Sequence, residues 1–243
     1  WSDDPGFAAA TAETGITGIC GSGIVEVIAE LFLAGVITPD GIIDGSLAAQ
    51  TPRVVSDGRT FSYVLHDASA EGRQRIAVTQ NDVRAIQLAK AALYAGVRLL
   101  MDHAGIDAVD EIRLAGAFGS QIDPFHAMVL GLIPDAPLDH VKAAGNAAGT
   151  GALIALLSAA ARSEIEGVVR RVEKIETAVE PRFQEHFIDA MAFPHRTAPS
   201  THLGTVTTLP ERPAGGSASG AGPGRRERPR RRPVVASSAK EDR

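Results

Sequence analysis

Cysteine is nearly absent: Cys20 stands alone among 243 residues. A single thiol builds neither a disulfide framework nor a cysteine-ligated zinc site or iron-sulfur cluster within this chain, so any such cluster must lie elsewhere. Long apolar runs are missing as well. No stretch approaches the ~20 residues of a membrane-spanning helix, and no charged-then-apolar signal segment opens the chain. These absences predict a cytoplasmic protein with no membrane partner. The opening Trp1-Ser-Asp-Asp-Pro holds neither a start residue nor the beginning of a recognisable element, which reads as a fragment or a processed product.

What is present is ordinary for a soluble α/β protein: 44% hydrophobic and 22% charged residues, enough for one main domain. The net charge of -5 conceals an asymmetry. Residues 211–243 carry nine Lys/Arg against four Asp/Glu, a local +5, leaving -10 on residues 1–210. An acidic body argues against a nucleic-acid partner. Beyond Pro194 the composition turns to Gly, Pro, Ser and Arg, which buries too little apolar surface to offset the entropy of ordering. Residues 1–196 are therefore expected to fold and 197–243 to form a disordered tail.

Within the folded part, GITGICGSGIVEVIAELFLAGVI from Gly15 reads as a glycine-rich turn feeding a helix of about three turns that stops near Gly35. Short β-prone runs at 53–55, 61–65 and 75–78, separated by Asp57-Gly58 and Glu71-Gly72, predict a small antiparallel insert at about 40–78. Thr79-Gln-Asn-Asp then caps a long helix with an apolar stripe through Val83, Ile86, Leu93, Val97 and Leu100, and Gly105 ends it. Lys90 falls on that stripe, where it either snorkels to water from the edge or reaches a ligand at the helix surface. Residues 111–115 read as a buried strand running into Gly116-Ala-Phe-Gly119 and a helix after Pro124. The pattern repeats with a strand at 140–144, the turn 145–151 and an alanine-rich helix over 152–162. A helical run at 164–173, a strand at 174–179 and a last amphipathic helix at 181–191 complete the expectation.

Three glycine-rich turns therefore precede helices: GICGSG (18–23), GAFG (116–119) and GNAAGTG (145–151). Glycine lets backbone N–H groups approach a ligand, and a helix N-terminus behind it favours anions. None ends in the Gly-Lys-Ser/Thr of a P-loop, and none has dinucleotide-fold spacing. Each alone is explained equally well by tight packing, but three at α/β crossovers point to a nucleotide. Catalytic side chains are not evident. His66, His103, His126, His140, His186 and His195 are scattered without metal-site spacing, so they read as surface or satisfied histidines and no metal site is expected. Cys20 reads as small buried packing beside the turn in preference to a low-pKa thiol at a helix N-terminus. Asp123 orients a ribose or a hydrated metal ion, or simply caps the helix before Pro124.

In order and surroundings these segments resemble the C-terminal part of the reductive activators of corrinoid proteins, within the acetate and sugar kinase, heat-shock chaperone and actin (ASKHA) superfamily. The matching stretches are GICGSGIVEVIAEL (18–31), TQNDVRAIQLAKAALYAG (79–96), IRLAGAFGSQID (112–123), GLIP (131–134), GNAAGTGA (145–152) and RFQEHFIDAMAFP (182–194). The resemblance implies half of an RNase-H-like α/β ATPase of the actin, hexokinase and heat-shock chaperone type. It implies ATP with Mg2+, contacted by Gly21, Ser22 and Gly23 at the phosphates, by Gly116, Ala117, Phe118, Gly119 and Asp123 at the adenosine, by Gly145, Asn146 and Gly149 at the hinge, and by Lys90 nearby. It further implies that a [2Fe-2S] domain, absent from this chain, passes one electron to cobalt(II) in a corrinoid protein or corrinoid methyltransferase component, with ATP hydrolysis assisting the return to cobalt(I). Whether this chain alone is an enzyme, and whether it dimerises, stays open. Two other readings compete: a non-enzymatic nucleotide-binding module or split subunit, and a small-molecule kinase of the same superfamily.

Overall fold

The structure is a computed structural model that describes residues 6–13, 15–177 and 179–211. A short helix α1 (Phe7–Thr11) and an extended segment lead to α2 (Gly21–Leu33). Cys20 caps α2, its Sγ accepting from the Gly23 N–H at 3.3 Å. The apolar stripe then buries Val25, Ile28, Ala29, Leu31 and Phe32. The insert folds as expected: β1 (Val54–Asp57), β2 (Thr60–His66) and β3 (Ile76–Thr79) form an antiparallel sheet in the order β1-β2-β3. The Asp57↔Thr60 pair closes the first hairpin around Gly58.

β3 runs straight into α3 (Gln80–Ala104) through a capping box, in which Thr79 Oγ1 accepts from the Asp82 N–H and the Asp82 carboxylate accepts from the Thr79 N–H. Such a reciprocal cap satisfies two orphan donors of the first turn. β4 (Ile112–Ala115), the single turn α4 (Gly116–Gly119) and α5 (Pro124–Leu130) follow. β5 (Val141–Gly145) then pairs parallel to β4, with Ile112 opposite Val141 and Ala115 opposite Gly145. The chain continues as α6 (Ala147–Leu157), α7 (Ala159–Val169) and α8 (Pro181–Asp189).

The core lies where α2 packs on α5 and the insert meets the start of α3. Phe32, Ile28, Ile37, Val78, Val83, Leu130 and Phe193 are buried there, with the Phe32 and Phe193 rings 5.7 Å apart. α8 packs on α3, held by Asp102, which takes Arg98 at 3.1 Å and both Arg182 and His186 at 2.8 Å.

Several expectations change. Lys90 does not snorkel to water: it is fully buried, and its ammonium donates to the carbonyls of Ala192 and, at 2.7 Å, Pro194. Gln87 beside it donates to the Asp40 and Met191 carbonyls, so the two side chains seat the loop after α8 on α3. The alanine-rich stretch is two helices, because Ser158 leaves helical geometry and caps the second by accepting from the Ala161 N–H. Residues 174–177 form no strand despite their β-prone composition. Folded structure also continues past 196. Asp135 accepts from the N–H groups of His202 and Leu203 at 2.7 and 2.9 Å, and Leu203 enters the core. The rest of the expected tail, 212–243, lies outside the described residues.

Candidate functional site

A parallel strand pair sends both of its following turns to one edge. β4 runs into Gly116 (φ +91) and β5 ends at Gly145 (φ +60), conformations that a side chain resists, and the Ala115–Gly145 pairing sets the two turns side by side. The carboxyl edge of a parallel sheet is where α/β proteins place ligands. α4 packs against β5, so GAFG and GNAAG share a boundary. The third turn joins them, because a Cβ built on Gly21 would lie 3.0 Å from Phe118 Cε2. Glycine at 21 is thus a close approach between the start of α2 and the GAFG ring.

Around the same turn, a cavity of about 700 Å³ is lined by residues 16–21, Ile24, Arg73, Arg75, Ile76 and Asp82. The first turn of α2 holds no acidic residue, so its N–H groups and helix dipole favour an anion. Both arginines have partners: Arg75 pairs with Asp67 at 2.9 Å and Arg73 lies 3.9 Å from Glu71. Sequence reasoning missed them. Their signal was two cations two residues apart on the approach to β3, one face of an extended chain.

Cys20 is exposed, which corrects the expectation of buried packing. Its thiol is held below the ordinary cysteine range, first by the Ser22 hydroxyl and then by the Gly23 N–H. Asn146 caps α6, accepting from the Gly149 N–H at 2.9 Å, and a Cβ on Gly149 would collide with that cap. The last part of GNAAGTG is therefore helix, with Gly145 and Asn146 at the edge and Gly149 one turn in. Asp123 caps α5, accepting from the His126 N–H at 2.9 Å. His126 Nδ1 also lies 2.8 Å from the Asp123 carboxylate, but off the line of a hydrogen bond, while its Nε2 reaches Glu30 of α2 at 2.8 Å. That link ties α5 to α2. Lys90 stands apart from the turns, enclosed by the 192–194 loop.

The glycine edge fits a nucleotide, since it offers backbone donors and an exposed aromatic ring. It does not fit a protein-held Mg2+, because the cavity's one carboxylate, Asp82, is committed to its capping box and no cluster of three potential ligands occurs among the described residues. A single cysteine likewise does not fit a [2Fe-2S] cluster. Among the described residues no helix is long and apolar enough to cross a membrane.

Two adjoining strand, glycine turn and helix units, met by a third glycine turn, define an α/β protein whose glycine turns gather at the carboxyl edge of its parallel strand pair. The family model for the C-terminal domain of RACo, the ASKHA domain, matches residues 4–203. The chain is 40% identical over 185 residues to the corrinoid activation enzyme RamQ of Eubacterium limosum, covering 72% of this chain and 31% of that protein. A solved reductive activator for a corrinoid, iron-sulfur protein superposes with a TM-score of 0.65 at 31% identity, covering 73% of this chain and 28% of that one. This chain belongs to the family of RACo C-terminal ASKHA domains, and the α/β ATPase-half fold with its antiparallel insert is borne out. It spans about a third of the length of those relatives.

Proposed function

We propose that the chain is the ATP-binding portion of a cytoplasmic reductive activator that returns cobalt(II) corrinoid proteins to cobalt(I). One observation supports this above the others: the turns at Gly21, Gly116 and Gly145 converge on a single edge. In this reading the α2 N-terminus takes the phosphates, GAFG takes the adenosine, and Gly145 and Asn146 flank the hinge. Mg2+ arrives with the nucleotide. The electron comes from an iron-sulfur centre outside this chain, whose own residues bind and orient ATP and present a surface to the corrinoid partner. ATP shifts that partner's affinity only by as much as it binds the two conformations differently.

A second reading, binding without hydrolysis by this chain alone, is favoured by the commitment of Asp82 to its cap. Calorimetry of the chain with ATP, followed by phosphate release with and without a cobalt(II) corrinoid protein, tests both. Saturable ATP binding is expected. Its absence at millimolar ATP would remove the nucleotide site, and hydrolysis by the chain alone would remove the second reading.

A further inference from the structure

α3 sets Tyr94, Arg98 and Met101 on one face, because residues three and four apart are neighbours along a helix. That face, the 107–109 loop, residues 134–135 and the segment 198–202 enclose a cavity of about 320 Å³, at the small end of the range for small-molecule sites. None of its lining residues belongs to the glycine turns. The wall formed by 198–202 is anchored at both ends. Asp135 accepts from the N–H groups of His202 and Leu203, and the Tyr94 ring packs on His195 with centroids 4.7 Å apart.

The polar groups around this cavity divide sharply. Both lining carboxylates are engaged: each Asp135 oxygen accepts a backbone N–H, and Asp107 accepts from Arg98 Nη2 at 3.0 Å. Arg98 also gives its Nε to Asp102 at 3.1 Å, so its positive charge is compensated twice. What is left over can donate. Arg98 Nη1, the Tyr94 and Thr201 hydroxyls and the His202 ring form no hydrogen bond among the described residues. Burial lifts the Tyr94 phenol above its ordinary range, which keeps it protonated at neutral pH.

We infer that this cavity is a small-molecule site separate from the glycine edge, for an uncharged ligand that joins a compact apolar body to a hydrogen-bond acceptor. The unengaged donors meet the acceptor, and Met101, Val109 and Pro134 remove the apolar body from water. An anion is disfavoured because Arg98 is already neutralised and two carboxylates line the cavity. A cation is disfavoured because those carboxylates already have partners. The inference does not depend on the nucleotide reading.

The test uses the full chain with isotope-labelled methionine methyl groups, read by NMR. Of the three methionines, Met101, Met128 and Met191, only Met101 lines the cavity. Three probes share one ring and differ in charge: acetophenone is uncharged with a carbonyl acceptor, benzoate is an anion and benzylammonium a cation. Acetophenone is expected to shift the Met101 signal saturably with a dissociation constant of about 1–10 mM, and the charged probes to bind at least about threefold more weakly. Tyr94→Phe, which keeps the ring on His195 and removes the hydroxyl, should weaken acetophenone by about three- to tenfold. Unmoved Met128 and Met191 signals would show that this variant keeps its fold. No saturable Met101 shift at up to about 50 mM acetophenone overturns the inference. So does a charged probe that binds as tightly, or a Tyr94→Phe affinity equal to the parent's.

Discussion

Helices α2 and α6 are both strongly apolar, and they meet opposite fates. α2 buries six of its thirteen residues against α5 and the insert. α6 carries no charged residue in eleven, yet none of its residues is buried; Leu156 and Leu157 are 73% and 76% exposed. α7 continues that surface through Ile165, Val168 and Val169. The parallel sheet tells the same story, since among the described residues β4 and β5 pair only with each other, whereas parallel strands are ordinarily covered on both faces. A helix apolar all round is built for an interior, and a contiguous exposed patch of this kind marks an interaction surface. The comparison teaches that composition specifies the need for cover but not what supplies it.

The sharpest way to break this contrast is truncation on each side. Phe32→Ala empties the centre of the packed region and should cost about 3–5 kcal/mol, read from the urea midpoint. Equal losses from Leu156→Ala would show that α6 is covered after all.

Next in size is Lys90. Burial pushes its ammonium down to about 7 from an ordinary 10.5, so between those values the folded chain binds fewer protons than the unfolded one. Stability should therefore rise with pH across that window, the cost of burying the charge being complete below pH 7 and relieved above it. Urea midpoints at pH 6.5, 8 and 9.5 should climb for the parent chain and flatten for Lys90→Met; matching slopes would show that Lys90 is not the group responsible. The smallest effect belongs to Leu156→Glu, which should change stability by less than about 0.5 kcal/mol while reducing binding of a hydrophobic dye. A large loss would refute the exposure of α6.

Much of the fold was legible because its signals are local. The Thr79 cap, the Val83 stripe and the Gly105 stop lie within the helix they define, and three glycine turns announced three helix starts. The errors share a physical cause. A β-prone run at 174–177 becomes a strand only with a neighbour to pair with, and no propensity supplies one. GNAAGTG looked like one long turn because glycine suggests a loop, but the Asn146 side chain starts α6 at once. Cys20 was expected inside because free cysteine behaves as a small hydrophobe. Its place as an N-cap keeps it outside.

By itself the sequence determined the bounds of α2, α3 and α8, the antiparallel insert and the glycine turns, because caps, φ preferences and apolar spacing act over a few residues. Only the tertiary structure decided that Phe118 rests on Gly21, that Lys90 is enclosed by carbonyls from the 192–194 loop, and that Asp135 recruits residues 202–203 into the fold. Those outcomes depend on desolvation and on partners far along the chain, and neither is written in the residues beside them.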